Sequence, residues 1–370
     1  MESNKLSSQK DGLYSQVHEG FKMSPEITDY VSDLEGNLRV AVVGFGKMGL
    51  LHSAIISLLR AGSLKAVVDK NRLLCLAASK LMKNVAFFKE LDEMLMKQEP
   101  DIVYVTTPTT SHFHILSKLI EHGVKYIFVE KPPTVDLKQL LEVIEILGRD
   151  QIVMSGLQKR YALTFRHAKL MLDSHIIGEP EKVFSSIRSN DINKRTTRFD
   201  SLGRGVLLDL GIHLVDLLVW ILRAEEVLEA SKKNLHTCVD DVFEAVLRTT
   251  NGAIVDFEAS WSSPNYRLPE TRIEIHGSNG ILTVTEDFVK VSTRKDKPLR
   301  LARDSCLYRP HYYRSTPPVN IADPEYTLEN LHFLYCIKNT LEPLTSPRNI
   351  EETMRIIDKL YSKASGGEHV

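Results

Sequence analysis

The 370-residue sequence predicts an α/β protein with two folded parts. The N-terminal part reads as a doubly wound parallel sheet. The C-terminal part reads as an α+β domain with a large, mainly antiparallel, open sheet. Three observations carry this. Short apolar runs alternate with helix-length segments from residue 38 to about 155, the rhythm of parallel strands joined by crossover helices. The first apolar run ends in a glycine-rich turn that opens a helix. Beyond about residue 156, strand candidates follow one another directly, with Asn-Gly turn signals between some of them.

Taken in order, Leu38–Val43 is apolar enough for a fully buried parallel strand. A helix over 47–61, a strand over 64–68, a helix over 71–83 and a strand over 84–88 follow. Next come a short helix over 91–97, a strand over 102–106, a helix over 111–122, a strand over 124–129, a helix over 136–147 and a strand over 151–154. In the second part, a helix over 163–172 leads to a strand over 182–188, an irregular basic loop and a very apolar helix over 206–222. Strands are expected over 239–249, 253–261, 271–276, 281–285 and 288–293, and helices over 326–340 and 350–363. Asn251-Gly252 and Asn279-Gly280 read as hairpin turns because both residue types tolerate positive φ. The expected organisation is a polar, flexible extension over 1–36, a nucleotide-binding domain over 37–155, and a substrate and oligomerisation domain over 156–370, whose last helices can fold back on the first domain.

Composition narrows the function classes. Lys plus Arg is 47 and Asp plus Glu is 48, which gives no electrostatic case for nucleic acid or an anionic membrane as partner. The four cysteines lie far apart without a C-x-x-C pair, so neither a metal site nor a disulfide framework is expected, and a reducing cytoplasm fits. The most apolar segment, 206–222, carries three ionisable groups, which argues against a membrane span.

That segment, VLLDLGIHLVDLLVWIL, holds Asp209, His213 and Asp216. At 100° per residue they fall at relative angles of about 0°, 40° and −20°, one narrow polar stripe on a helix that is otherwise greasy all round. Such a helix is buried, and burying an acid and an imidazole costs several kcal/mol per group unless each is paired or used. A cavity wall where an acid and an imidazole sit one turn apart suits proton transfer. A buried Asp–His hydrogen bond that only braces the core is the alternative.

The first strand ends in Gly44-Phe45-Gly46-Lys47-Met48-Gly49 directly before a helix, a G-x-G-x-x-G turn in a strand–turn–helix setting. Gly44 permits the tight turn, Gly46 lets the backbone approach a pyrophosphate, and Gly49 lets the helix pack close to the sheet. Asp69 ends the second strand 20 residues after Gly49, where an acid accepts hydrogen bonds from ribose hydroxyls. It favours NAD; Lys70 and Arg72 soften that preference and leave NADP open. The fourth strand runs into Thr107-Pro108-Thr109-Thr110-Ser111-His112, and the fifth into Glu130-Lys131-Pro132-Pro133. Both lie at the carboxyl edge of the sheet, where open α/β sheets bind ligands.

The GFGKMG turn, Asp69, the TP–H segment, EKP and D-x-G-x-H at 209–213 together resemble the Gfo/Idh/MocA family of nicotinamide-dependent oxidoreductases, which act mainly on sugars, cyclitols and nucleotide sugars. The resemblance implies that Lys131 hydrogen-bonds the reacting hydroxyl and that His213 is its general base. It implies that Asp209 holds substrate or His213 in place. Thr107, Pro108, His112 and Glu130 fit the cofactor channel, and Arg160 and Tyr161 fit a substrate contact. The expected reaction is hydride transfer between NAD(P) and a hydroxyl or keto group of a sugar, cyclitol, sugar phosphate or nucleotide sugar. The alternatives are an NAD-binding sensor without catalysis, and a glycoside-cleaving or enone- or imine-reducing relative. The family's pattern departs at Thr109, often Asn, and at Gly203-Arg204-Gly205, where Arg204 interrupts paired glycines. Arg204, with Arg188, Lys194, Arg195 and Arg198, raises the expectation of an anionic substrate group, against a solvated surface loop. Partly apolar strands on both sheet faces predict a homodimer or homotetramer through the C-terminal sheet.

Overall fold

The computed structural model describes residues 38–59, 62–196, 204–266, 268–293 and 323–366, and the strand path of 304–308. The expected N-terminal extension and Arg198 lie outside the described residues. In chain order the elements are β1 (Leu38–Val43), α1 (Lys47–Leu58), β2 (Gly62–Val68), α2 (Arg72–Leu81), β3 (Ala86–Phe88), α3 (Leu91–Lys97), β4 (Ile102–Val105), α4 (His112–Glu121), β5 (Tyr126–Glu130), α5 (Leu137–Ile146) and β6 (Ile152–Gly156). Then follow α6 (Leu163–Asp173), β7 (Pro180–Arg188), a wide turn at Leu207–Gly211, α7 (Ile212–Leu222), β8 (Ala224–Lys233), β9 (Val242–Thr249), β10 (Ile254–Ser260), β11 (Glu270–Gly277), β12 (Gly280–Thr285), β13 (Phe288–Thr293), β14 (Asp304–Tyr308), α8 (Pro324–Asn339) and α9 (Glu351–Ala364).

Among the described residues, one compact unit comprises those from 38 to 158 and from 323 to 355. Its six parallel strands run in the order β3-β2-β1-β4-β5-β6, so the strand order reverses between β1 and β4. Ligands bind at such a switch point, off the carboxyl ends of the strands. Strands β4 and β6 are buried along their whole length, as crossover helices on both faces demand. On one face Val43, Val68, Val105 and Val129 pack with Leu116 and Leu119 of α4. On the other, Tyr104 and Phe128 stack at 5.0 Å and meet Phe333 of α8 edge-on at 6.1 and 5.8 Å. Residues far along the chain thus complete the core of this sheet. Two helix starts are local: Asn71 accepts from Leu73 and Leu74 N–H, and Asp136 from Gln139 N–H.

The other unit holds the described residues from 159 to 308 and from 356 to 366. Its eight strands run in the order β14-β13-β12-β11-β7-β10-β9-β8, all antiparallel except the β7/β10 pair. Helix α6 packs on β12 and β13, and α7 on β7 and β8. The strands alternate, with Val183, Ile187, Phe243, Leu247, Ile273 and Ile275 turned inward. The outer face is laced with ion pairs, among them Lys182–Asp256 at 2.6 Å and Arg188–Glu258.

Three expectations change here. The predicted straight helix over 206–222 is instead a wide turn at Leu207–Gly211 followed by α7. An extra residue in that turn breaks the 100° step on which the three-residue stripe rested. Strand β8, AEEVLEASKK, escapes the periodicity because it is an edge strand defended by charge. Gly252 has φ +88° at its turn, as read from the sequence, but neither Asn279 nor Gly280 adopts positive φ. Gly280 is required by crowding: a Cβ there would collide with the Ser292 carbonyl.

Candidate functional site

The glycine turn has open space at the position where a cofactor phosphate is expected. A Cβ on Gly46 would meet nothing within 4 Å, whereas one on Gly49 would strike the Gly44 carbonyl, and Gly44 itself has φ +91°. No side chain caps the start of α1, so its first N–H groups remain open to an anion. The Phe45 ring points away into the core, 6.3 Å edge-on from Phe87. Lys47 is exposed and Met48 half-buried. A cavity of about 800 Å³ opens beside this turn, lined by Gly44, Gly46, Asp69, Lys70, Thr107 and Pro108 among others. Its size suits a nucleotide. Asp69 Oδ2 accepts the Phe45 N–H at 2.6 Å and Oδ1 the Asn71 N–H at 2.7 Å. Each oxygen keeps a second lone pair for a ribose hydroxyl. These residues fit a dinucleotide.

At the next strand ends the geometry is a brace. His112 is only 1% exposed, and its ring nitrogens lie 2.7 Å from the carbonyls of Pro132 and Thr107. Burial pulls this imidazole below its ordinary pKa. Glu130, also buried, accepts the Lys131 N–H on Oε2 at 3.1 Å and meets His52 Nε2 with Oε1 at 2.9 Å. Glu130 and His112 therefore engage protein groups that shape the turn around the half-buried Lys131.

In the other unit the polar stripe divides. Asp216 is 1% exposed and takes both arms of Arg160, Nε to Oδ2 at 2.7 Å and Nη2 to Oδ1 at 2.5 Å. Arg160 is itself buried and lies 5.9 Å from the Trp220 ring centre, and Tyr161 is buried beside it in the chain. His213 is 4% exposed and Asp209 half-buried. Arg204 turns onto α9, 2.6 Å from Asp358 and 4.8 Å over the Tyr361 ring. Arg188 is paired with Glu258 on the outer sheet face; Lys194 and Arg195 are exposed. Of the five basic residues expected to act together, Arg188 and Arg204 thus face different partners, Lys194 and Arg195 are exposed, and Arg198 lies outside the described residues. Among the described residues no group of three or more metal-ligating side chains converges.

Residues 38–156 match the oxidoreductase family with the NAD-binding Rossmann fold, and residues 165–283 match the GFO/IDH/MocA C-terminal domain. The chain belongs to the GFO/IDH/MocA family. It is thus an NAD-binding oxidoreductase. It is 24% identical over 344 residues to the scyllo-inositol 2-dehydrogenase (NAD(+)) of Bacillus subtilis, covering 87% of this chain and 92% of that one. It is 22% identical to a D-apiose dehydrogenase of Paraburkholderia graminis, covering 89% and 88%. Levoglucosan dehydrogenase in complex with NADH shares the fold, with a TM-score of 0.78, 20% identity and coverage of 90% and 98%.

Sequence reading of this GFO/IDH/MocA chain missed three supporting residues. Asp240 anchors the wide turn: its carboxylate accepts the Gly205 N–H at 3.2 Å and the Leu207 N–H at 3.1 Å, and its carbonyl the Val206 N–H at 2.7 Å. A Cβ at Gly205 would collide with it. The Gly205–Asp240 separation hides the contact from any local pattern. His52 and Asn330 form a buried polar pair, with Asn330 Nδ2 3.0 Å from His52 Nδ1. A histidine inside an apolar helix face was the available signal for His52.

Proposed function

We propose that this chain is an NAD-dependent dehydrogenase that interconverts a secondary hydroxyl and a ketone on a neutral cyclitol or sugar. The observation that carries the reading is the Glu130-Lys131-Pro132 turn, anchored on both flanks at the ligand edge of the parallel sheet. Bound NAD supplies the hydride acceptor. Gly44, Gly46 and the open start of α1 hold its phosphates, and Asp69 its ribose, favouring NAD over NADP. Lys131 donates a hydrogen bond to the carbinol oxygen and stabilises its charge as the proton leaves. The His213 ring receives that proton, and Asp209 orients the ring or the substrate. Asp216 is already committed to Arg160, which leaves Asp209 and His213 as the working part of the stripe. What supports a neutral substrate is that Arg188 and Arg204 are matched by Glu258 and Asp358.

The test is a panel of inositols, pentoses, hexoses, sugar phosphates and nucleotide sugars, read by absorbance of the reduced nicotinamide. Turnover of a neutral member supports the reading, and Lys131→Met and His213→Asn each lower kcat by about 100-fold or more. Turnover confined to anionic members refutes the neutral class, and no turnover of any member refutes the reaction. The expected homodimer or homotetramer is retained as a proposal through the outer sheet face, where Phe184 stands 45% exposed among the ion pairs. Light scattering that finds a monomer at micromolar concentration removes it.

A further inference from the structure

Two buried histidines reach the turn that carries Lys131, one on each flank. His52, on α1, is 0% exposed and lies 2.9 Å from Oε1 of Glu130, the residue before Lys131. His112, at the start of α4, lies 2.7 Å from the carbonyl of Pro132, the residue after it. The second nitrogen of His112 lies 2.7 Å from the Thr107 carbonyl. A neutral ring has a single N–H, taken to lie on Nδ1, where it donates to Pro132. The second oxygen of Glu130 accepts the Lys131 N–H at 3.1 Å.

The proton positions on the first side follow from the donor inventory. Asn330 Oδ1 accepts from the Tyr104 hydroxyl at 2.9 Å, and Nδ2 donates to the Tyr326 carbonyl at 2.6 Å. These partners fix the amide, so its remaining N–H faces His52 Nδ1. His52 then carries its proton on Nε2 and donates it to Glu130. A hydrogen-bonded line thus runs from Tyr104 through Asn330 and His52 to Glu130 and the Lys131 backbone. Burial holds the Tyr104 hydroxyl well above its ordinary pKa, which keeps it a donor.

We propose that His52 and His112 are positioning residues that clamp the Lys131 turn from both sides, with Asn330 selecting the donor nitrogen of His52. The clamp rests on the reading of Lys131 given above. An apolar side chain at either position would make none of these hydrogen bonds. It would leave buried acceptors without a donor, and the turn would be held by packing alone. Hydrogen bonds of fixed direction hold a functional group more narrowly than packing does.

Two measurements on the full chain test this. The first is competitive labelling of amines with acetic anhydride, read by peptide mass spectrometry without cofactor. The second is the split between kcat and the KM for NAD on the best substrate. In His52→Leu and His112→Leu, the labelling rate of Lys131 shifts by about threefold or more, and kcat falls on the order of 10- to 100-fold with a smaller change in KM. Exposed Lys65 and Lys80 serve as internal references and keep their rates. His52→Gln and His112→Gln restore part of the effect, because an amide still donates one hydrogen bond. Asn330→Asp is nearly isosteric and cannot donate to Nδ1, so it moves the same readouts without altering the volume at either histidine. Folded variants whose Lys131 labelling and kcat match the parent overturn the clamp. If the parent oxidises no polyol, the proposed function fails by itself, and the labelling arm still decides the clamp.

Discussion

Replacing Asp216 by asparagine separates two roles for Arg160. The guanidinium makes two charge-assisted bonds to Asp216, at 2.7 and 2.5 Å, and the side chains are 4% and 1% exposed. An amide at this position would keep the shape and one acceptor oxygen while removing the countercharge. Breaking a buried ion pair on one side costs about 3–5 kcal/mol, because the remaining charge stays desolvated. Retention of one hydrogen bond places the expected loss near the low end, about 3 kcal/mol. The double variant Arg160→Met, Asp216→Leu removes both charges and is expected to recover to within about 1–2 kcal/mol of the parent. Urea unfolding at neutral pH reads both, with unchanged m-values as the check that only stability moved. With the matching singles Arg160→Met and Asp216→Leu measured beside the double variant, the cycle should return a coupling of about 2 kcal/mol or more. A loss under about 1 kcal/mol in Asp216→Asn refutes the reasoning, since that is what a solvated pair yields. The double variant also tests the substrate contact expected from the sequence: a core role leaves the sugar KM near the parent value, and a substrate role raises it.

Other outcomes follow from the same geometry. Gly46→Ala has open space for its Cβ, so it should melt like the parent yet lose NAD binding by fluorescence titration; unchanged affinity would remove the phosphate from that position. Gly49→Ala forces a Cβ against the Gly44 carbonyl and should lower the melting temperature as well as binding. Glu329 is fully buried with neither carboxyl oxygen hydrogen-bonded, and burial, with Glu130 and Glu325 nearby, raises its pKa well above the usual range. The folded chain therefore keeps this proton after the unfolded chain has released it near pH 4.3, and stability drains away as pH rises from there, by up to about 1.4 kcal/mol per unit. Glu329→Gln should be less pH-sensitive and gain on the parent between about pH 5 and pH 8; parallel stability profiles would contradict this.

Much of the fold and of the cofactor loop was legible because it rests on local rules. Residues G-F-G-K-M-G between an apolar run and a helix need one conformation, and Asp69 lies one strand away from it. The helices expected from residues 71 and 136 are capped by Asn71 and Asp136 themselves, since a cap acts within three residues. The candidate site was legible as residue types at strand and helix ends. Their partners were not. Arg160, expected at substrate, pairs with Asp216, 56 residues on; Arg204, expected at an anionic substrate group, pairs with Asp358.

By itself the sequence determined the alternation of strands and helices, the nucleotide loop and the identity of the groups able to move a proton. Tertiary structure alone decided which buried polar groups pair with each other: Glu130 with His52, His52 with Asn330 278 residues away, and Asp216 with Arg160. It also decided that the apolar helix opens with a wide turn anchored by Asp240. The physical reason is range. Backbone preference and amphipathic period act over a few residues, whereas the cost of burying a charge is settled by whichever group the folded chain brings within about 3 Å.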